Sequence, residues 1–337
     1  MTGAIEQFGT LPDGTPVQRV AIAAGDLSAH FITYGAVLQD LRLAGHAAPL
    51  VLGFDNLGDY LAHSKHFGAT AGPCANRTAR GHVEFGDRTV TLDINEGRNH
   101  IHGGREGTGH LNWTLEKAAA DRVSFSLTLP DGHMGYPGPM RLHAHFRIVP
   151  PATLEVVYEA DSESPTLVNL AHHSYFNLSG EPDILGHELT IHAERYLPVD
   201  DEKIPLGPPA PVAGTEFDFR TPRTFGATHG AASRLDHNFC LADMRGPMQP
   251  AARVVAPASG VALEVTTTEP GVQAYDGYQL KVPVPGLDGF AMGPHAGFAL
   301  EAQIWPDSAN HPTYAQARLA PGERLRQTTH YAFSRNA

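Results

Sequence analysis

Cysteine is nearly absent. The chain holds two, Cys74 and Cys240, too few for a disulfide framework or a four-cysteine zinc site. Charge is sparse and one-sided: 18% of residues are charged, acids outnumber bases 36 to 24, and the net charge is −12. That balance excludes the basic footprint of a nucleic-acid partner and attraction to an anionic membrane surface. No apolar run reaches the roughly 18 residues of a membrane span, and the opening MTGAIEQFGTLPDG lacks the basic and apolar regions of a secretory signal. A cytoplasmic location is expected. The glycine patterns of dinucleotide sites and phosphate loops are missing, as are HExxH and GxSxG. Neither cysteine sits in an evident activating context.

Long uninterrupted segments are also scarce. With 35 glycines and 27 prolines in 337 residues, the longest stretch free of both is 20 residues, 110–129. What lies between the breaks alternates with the period of a strand. Val123, Phe125, Leu127 and Leu129 share one face, opposite Ser124, Ser126 and Thr128. Leu142, Ala144, Phe146 and Ile148 oppose His143, His145 and Arg147, and segments 154–160 and 261–267 repeat the pattern. Turn signals at 12–14, 85–88, 130–132 and 257–260 separate such runs. Helical signal is confined to one short segment, 56–67. The pattern predicts an all-β fold, a large antiparallel sandwich or barrel with few short helices. At 42% hydrophobic residues the chain can bury a sizeable core, and with no interdomain linker evident residues 1–337 are expected to form a single domain.

Several segments set ionisable side chains in apolar, strand-like surroundings: Asn76 and Arg77 in ANRTARG, His100 and His102 in NHIHGG, His172, His173, Tyr175 and Asn177 in HHSYFN, Asp236 and His237 in LDHNF, Glu269, Gln273 and Asp276 in TEPGVQAYD, and Glu301 and Gln303 in FALEAQIW. Arg77 equally suits a salt bridge, and Asp236 a turn cap. Glu301 is harder to dismiss, because a carboxylate among Phe298, Ala299, Leu300, Ile304 and Trp305 is costly unless paired or used. His172 and His173 are neighbours on a strand, so at most one points into a given site. With 20 histidines in the chain, the His100-x-His102 and His143-x-His145 spacings raise a metal site as an alternative. The plain reading of His143 and His145 is a solvated strand face.

Taken in order, these segments resemble the aldose 1-epimerase (galactose mutarotase) family. GAVLQDLRLAG, LVLGFDNLGDYL, ANRTARG, NHIHGG, DGHMGYPG, HHSYFNLSG, LDHNF, TTEPGVQAY, LEAQIWPDSAN and APGERLRQTTHYAF carry the resemblance over about residues 30 to 333. It implies the galactose mutarotase-like supersandwich, and an enzyme without cofactor or metal that interconverts the anomers of an aldose. It also implies Glu301 as general base and His173 as general acid, with Arg77, His102, Asp236 and Gln273 holding the sugar and Asn76 and Tyr175 in the same pocket. The partner implied is a small sugar, the assembly a monomer or homodimer. The chain departs from the family at His172, where Asn is common, at Pro73, and at Tyr278 in YDGYQL, which bears on substrate choice.

Those residue types suit the chemistry. Anomer exchange removes a proton from the anomeric hydroxyl, protonates the ring oxygen, and closes the ring on the other face of the carbonyl. One carboxylate and one imidazolium suffice, and each such proton transfer contributes on the order of 10²–10⁴ in rate. An ionised Glu301 kept so by nearby cations, and a His173 kept protonated by a neighbouring carboxylate, are the expected states. The rivals are a same-fold epimerase of a sugar phosphate, pentose or deoxy sugar, a non-catalytic sugar-binding protein, and a metal-dependent β-fold enzyme.

Overall fold

The computed structural model describes residues 4–64, 66–228 and 234–335. Alternation becomes pleated strand where it was expected. Met140–Val149 buries Met140, Leu142, Ala144, Phe146 and Ile148, while His143 and His145 stay partly exposed. Arg122–Leu129 and Thr153–Ser162 pair with it on either side, all antiparallel. These strands belong to a nine-stranded sheet ordered Thr114–Ala118, Arg122–Leu129, Met140–Val149, Thr153–Ser162, Arg324–Arg335, Val261–Thr267, Gln249–Ala256, Glu188–Ile191, Arg223–Thr224. The last strand in the chain is thus central in the sheet. Its alternation buries Leu325, Gln327, Thr329, Tyr331 and Phe333.

Two smaller sheets pack on this one. The first four strands, Ala4–Thr10, Pro16–Ala24, Leu27–Ile32 and Val37–Leu43, form a consecutive antiparallel sheet, and Phe31 meets Phe146 with ring centroids 4.5 Å apart. A five-stranded sheet ordered Ala210–Pro211, Arg195–Tyr196, Asp236–Cys240, Gly271–Tyr275, Ala299–Gln303 lies against the same face of the long sheet, where the Tyr331 hydroxyl donates to the Leu300 carbonyl at 3.1 Å. The large antiparallel β-sandwich expected is what forms. The apolar cluster between its layers runs from Val20 to Phe333.

Among the described residues one α-helix forms, Leu57–His63, capped by the Asn56 side chain on the Asp59 N–H at 2.9 Å. It stops short of the expected Phe67 because Ser64 is extended and caps the helix with its N–H on the Tyr60 carbonyl. Chain reversals occupy 12–14, 85–88, 130–132 and 257–260 as the turn residues indicated. No described helix is long and apolar enough to cross a membrane.

Candidate active site

Three adjacent strands of the five-stranded sheet place Asp236, Gln273 and Glu301 on one face. Gln273 lies directly opposite Glu301, and Asp236 is two residues from Asn238, which lies opposite Gln273. The Gln273 amide donates to Asp236 Oδ1 at 2.7 Å. One N–H of the Gln273 amide is thus engaged by Asp236, and Gln273 is not among the residues lining the cleft. The facing element is the short strand Ala171–His173, paired with Ala69–Ala71. Its pleat separates the two histidines. His172 is held inside by the Ser174 hydroxyl at 2.8 Å and packs on Tyr331; His173 faces the cleft. The departure at His172 thus lies in the core and does not line the cleft.

The remaining wall is built by Arg77–Thr78 paired with His100–Ile101. Beyond each strand the backbone turns left-handed, at Asn76 (φ 61°) and His102 (φ 49°), conformations that cost non-glycine residues of order 1–3 kcal/mol and gather at functional sites. The two residues lock each other. The Asn76 N–H donates to His102 Nδ1, and the His102 N–H to the Asn76 carbonyl, each at 3.2 Å. With Nδ1 accepting, the neutral His102 ring carries its proton on Nε2 and presents a donor. The glycine that follows is forced: a Cβ on Gly103, at φ 88°, would sit 1.7 Å from the Gly72 carbonyl oxygen. That is why HGG follows the strand. Arg77 is oriented by Glu96, which accepts from Nε at 2.6 Å and from Nη2 at 2.8 Å.

These groups line a cleft of about 390 Å3. Asn76, Arg77, His102, His173, Tyr175, Asp236 and Glu301 all contribute to it; of the expected site residues only Gln273 does not. Glu301, 3% exposed, brings Oε1 to 3.5 Å from His173 Nε2. Glu301 Oε2 and His173 Nδ1 are buried without a hydrogen-bond partner among the described residues, which leaves bonding capacity open on the reacting pair. Burial, reinforced by the Asp236 charge and opposed by Arg77, raises the Glu301 carboxyl to about 8. Burial lowers His173 to about 4 and holds His102 well below its ordinary range. This corrects the expected protonation states. In the empty cleft one cation does not outweigh desolvation, so at neutral pH the pair holds a single proton, on Glu301 rather than His173.

The spacing missed several lining residues. Glu96 and Asn95 enter from the loop before NHIHGG, and Tyr275 and His66 from elsewhere. The His66 ring lies 4.7 Å from His102, 5.7 Å from His173 and 4.9 Å from His110. No period marks these positions; only the fold brings them in. Other flagged residues serve the scaffold. Glu269 is fully buried and bound through both oxygens by Arg245, and Asn177 pins the backbone of Ser179 and Gly180.

Metal binding finds little support in the donors. His100 does not share a face with His102, because the strand ends at Ile101; both its ring nitrogens are taken, by the Asp93 carbonyl at 2.7 Å and the Tyr136 hydroxyl at 2.6 Å. His143 and His145 share a strand face but are half-buried rather than fully solvated, with His145 Nδ1 2.9 Å from the Ser124 hydroxyl. One cluster, His102, His173 and Glu301, brings its ligand atoms within 4.8 Å of one another. A ligating imidazole needs a lone pair on the nitrogen facing the metal, and the Asn76 N–H on His102 Nδ1 puts a proton there instead.

A second, larger cleft of about 620 Å3 opens outward from the first, sharing Arg77, Glu96, Asp236 and Gln279 with it. Its outer walls carry Asp200, Asp201, Glu202 and Glu216 against Lys203 and Arg234. Tyr278, one of the departures, stands here with the Arg234 guanidinium 5.0 Å over its ring.

The sequence profile of the aldose 1-epimerase family matches residues 18–332. Galactose mutarotases of Mus musculus and Homo sapiens are each 40% identical to this chain, over 97% of it and 97% of theirs. The aldose 1-epimerase of Escherichia coli (strain K12) is 34% identical over 96% of both. Among solved structures, an aldose epimerase homologue from C. elegans superposes with a TM-score of 0.89 at 27% identity, over 94% of this chain and 98% of that one. A galactose 1-epimerase from Lactobacillus acidophilus NCFM gives 0.86 at 28% over the full length of both.

Proposed function

Because the chain belongs to the aldose 1-epimerase family, we propose that its cleft exchanges the α and β anomers of a free aldose such as galactose or glucose, with Glu301 and His173 as the proton-transfer pair. The protein is an isomerase of the mutarotase type. The observation that carries the residue assignment is the approach of Glu301 Oε1 to His173 Nε2 at 3.5 Å, with an unpartnered polar atom on each.

The steps follow from the proton count. The pair holds one proton. For a cyclic sugar the productive arrangement has it on His173, with Glu301 ionised. Glu301 takes the proton of the anomeric hydroxyl while His173 gives its own to the ring oxygen. The bond from the anomeric carbon to the ring oxygen breaks and the carbonyl forms. The proton now rests on Glu301, the arrangement burial favours in the empty cleft. Rotation about the adjacent carbon–carbon bond presents the other carbonyl face. His173 withdraws the proton of the attacking hydroxyl, Glu301 returns its own to the carbonyl oxygen, and the ring closes. No proton is gained or lost over the cycle. His102 Nε2–H, Arg77 and Asp236 offer the directional hydrogen bonds that fix the hydroxyls, and Gln273 holds Asp236.

Neighbouring features weigh on the rivals. A dianionic sugar phosphate would enter past Glu96, Asp200, Asp201, Glu202 and Glu216 with Arg77 already engaged by Glu96, so neutral aldoses are the preferred class. A pure binding protein has no use for a proton-sharing pair. The described layers share one continuous apolar cluster, which supports reading the chain as a single domain. The test is polarimetry of freshly dissolved α-D-galactose and α-D-glucose with a chelator present. Accelerated relaxation to the same final rotation, with no acceleration for the corresponding 6-phosphates, is expected. Acceleration for the phosphates alone would overturn the substrate class; acceleration for none of them, the catalytic reading.

A further inference from the structure

Six residues beyond Glu301 the chain reaches Asp307, which lines neither cleft and is 6% exposed. Its backbone is left-handed, φ 57°. Its main-chain N–H donates to the Arg77 carbonyl at 2.9 Å. Its Oδ1 accepts from the Ala79 N–H at 2.9 Å and from the Asn310 amide at 2.6 Å, and its Oδ2 lies 3.4 Å from His311 Nε2. One residue thus grips the backbone on both sides of Thr78.

The gripped segment carries one wall of the pocket. Arg77 supplies the guanidinium that opposes the rise of the Glu301 carboxyl. Asn76, immediately before it, holds His102 through the reciprocal hydrogen bonds that fix its tautomer. The strand pairing of Arg77–Thr78 with His100–Ile101 is only two residues long, too short to fix the approach of this wall alone. Trp305 anchors the segment between Glu301 and Asp307, its indole N–H donating to the Pro270 carbonyl at 2.9 Å. The strand that bears Glu301 therefore continues, through a braced turn, into the contact that sets where Arg77 and His102 stand relative to it.

We propose that Asp307 is a positioning residue for catalysis: its carboxylate oxygen and main-chain N–H clamp the Arg77–Ala79 backbone, and so hold the Arg77 and His102 wall in register with Glu301. This rests on the acid–base assignment of Glu301 and His173. A buried carboxylate is costly unless its hydrogen bonds are made; here Asn310 and His311 of its own turn hold it in place, and its bond to the Ala79 N–H ties that turn to the segment carrying the sugar-binding wall.

Three variants of the full chain test it: Asp307→Ala, Asp307→Asn and, as the reference for the pair itself, Glu301→Gln. The readouts are kcat and KM for anomer exchange, the pH profile of kcat/KM, and the thermal midpoint. The groups within electrostatic reach of Glu301 are His173, His102, Arg77, Asp236, Tyr175 and Tyr331, and of these Arg77 is the one cation. If the clamp slackens, Arg77 recedes, so the alkaline limb of the Asp307→Ala profile moves to higher pH. Its kcat/KM at neutral pH falls by about 10- to 100-fold, the scale of loss for an ångström of misplacement, with KM raised. Asp307→Asn keeps an oxygen for the Ala79 N–H and the main-chain donor, and restores most of the rate and the wild-type limb.

A folded Asp307→Ala protein with wild-type kcat/KM and an unmoved limb overturns the proposal. So does an Asp307→Asn protein that folds yet fails like the alanine variant, since the clamp needs an acceptor and not a charge. If Asp307→Ala does not fold, the asparagine variant alone decides. Failure of the underlying assignment is separate: it appears as an active Glu301→Gln protein, whatever the Asp307 variants do.

Discussion

Glu301 and His173 stand 3.5 Å apart and burial drives them in opposite directions, the carboxyl up to about 8 and the imidazole down to about 4. Two groups so displaced hold one proton between them over the whole interval. A reaction that passes one proton from one to the other and back needs that count.

The pH dependence follows with its sign. Below about 4 His173 also binds a proton and the pair has no base; above about 8 Glu301 loses its proton and the pair has no acid. The profile of kcat/KM, which reports the free enzyme, is expected to be flat between these limits and to fall tenfold per pH unit beyond each. An alkaline limb starting near pH 6, as for an ordinary histidine acid, would contradict the shared proton.

Stability should carry the same signature. Glu301 titrates higher in the folded chain, about 8, than its ordinary 4.5, so folding is favoured by the protonated form. That contribution is fully present below 4.5 and is lost as pH rises through 8. Replacing the carboxyl with an amide removes the loss. Glu301→Gln is expected to gain on wild type by on the order of 2–4 kcal/mol between acid and alkaline solution, read from denaturant midpoints. Parallel pH curves for the two proteins would count against burial as the cause.

Gly103 tests the turn that presents His102. A methyl group there meets the Gly72 carbonyl oxygen at 1.7 Å in a left-handed backbone, and neither partner is a flexible side-chain end. Gly103→Ala is expected to destabilise the protein by about 3 kcal/mol or more. A thermal midpoint within a degree or two of wild type would show that the turn relaxes easily.

Gln273 is read as a support for Asp236. Its removal frees Asp236 to move without altering the reacting pair, so Gln273→Ala is expected to raise KM by about tenfold with a smaller change in kcat. A kcat loss at constant KM would place Gln273 in the chemistry instead.

Much of this was legible in the amino-acid order, and the reasons are physical. Val123 to Leu129 and Leu142 to Ile148 alternate because one face of each strand is buried, and the burial follows residue by residue. Glu301 stood out because an acid in an apolar run has few places to go, and the pleat that separates His172 from His173 is a property of any strand. Contacts between distant segments were not legible. Glu96 reaches Arg77 from a loop, His66 reaches His102 through the fold, and nothing in HIHGG says that the strand ends at Ile101. Motif membership marked Gln273 as near the site, yet not which way it donates. The protonation states failed for a related reason. A sequence shows which charges exist, whereas the depth of burial that outweighs Arg77 at Glu301 is set by all the layers together.

The central claim is tested most directly by the rate of anomer exchange in folded Glu301→Gln and His173→Asn proteins, followed by polarimetry on the sugar the wild-type enzyme accelerates best. Both variants are expected to keep wild-type circular dichroism and sugar binding, and to lose on the order of 10²–10⁴ in rate. Either variant turning over near the wild-type rate would show that the 3.5 Å pair is not the proton-transfer machinery.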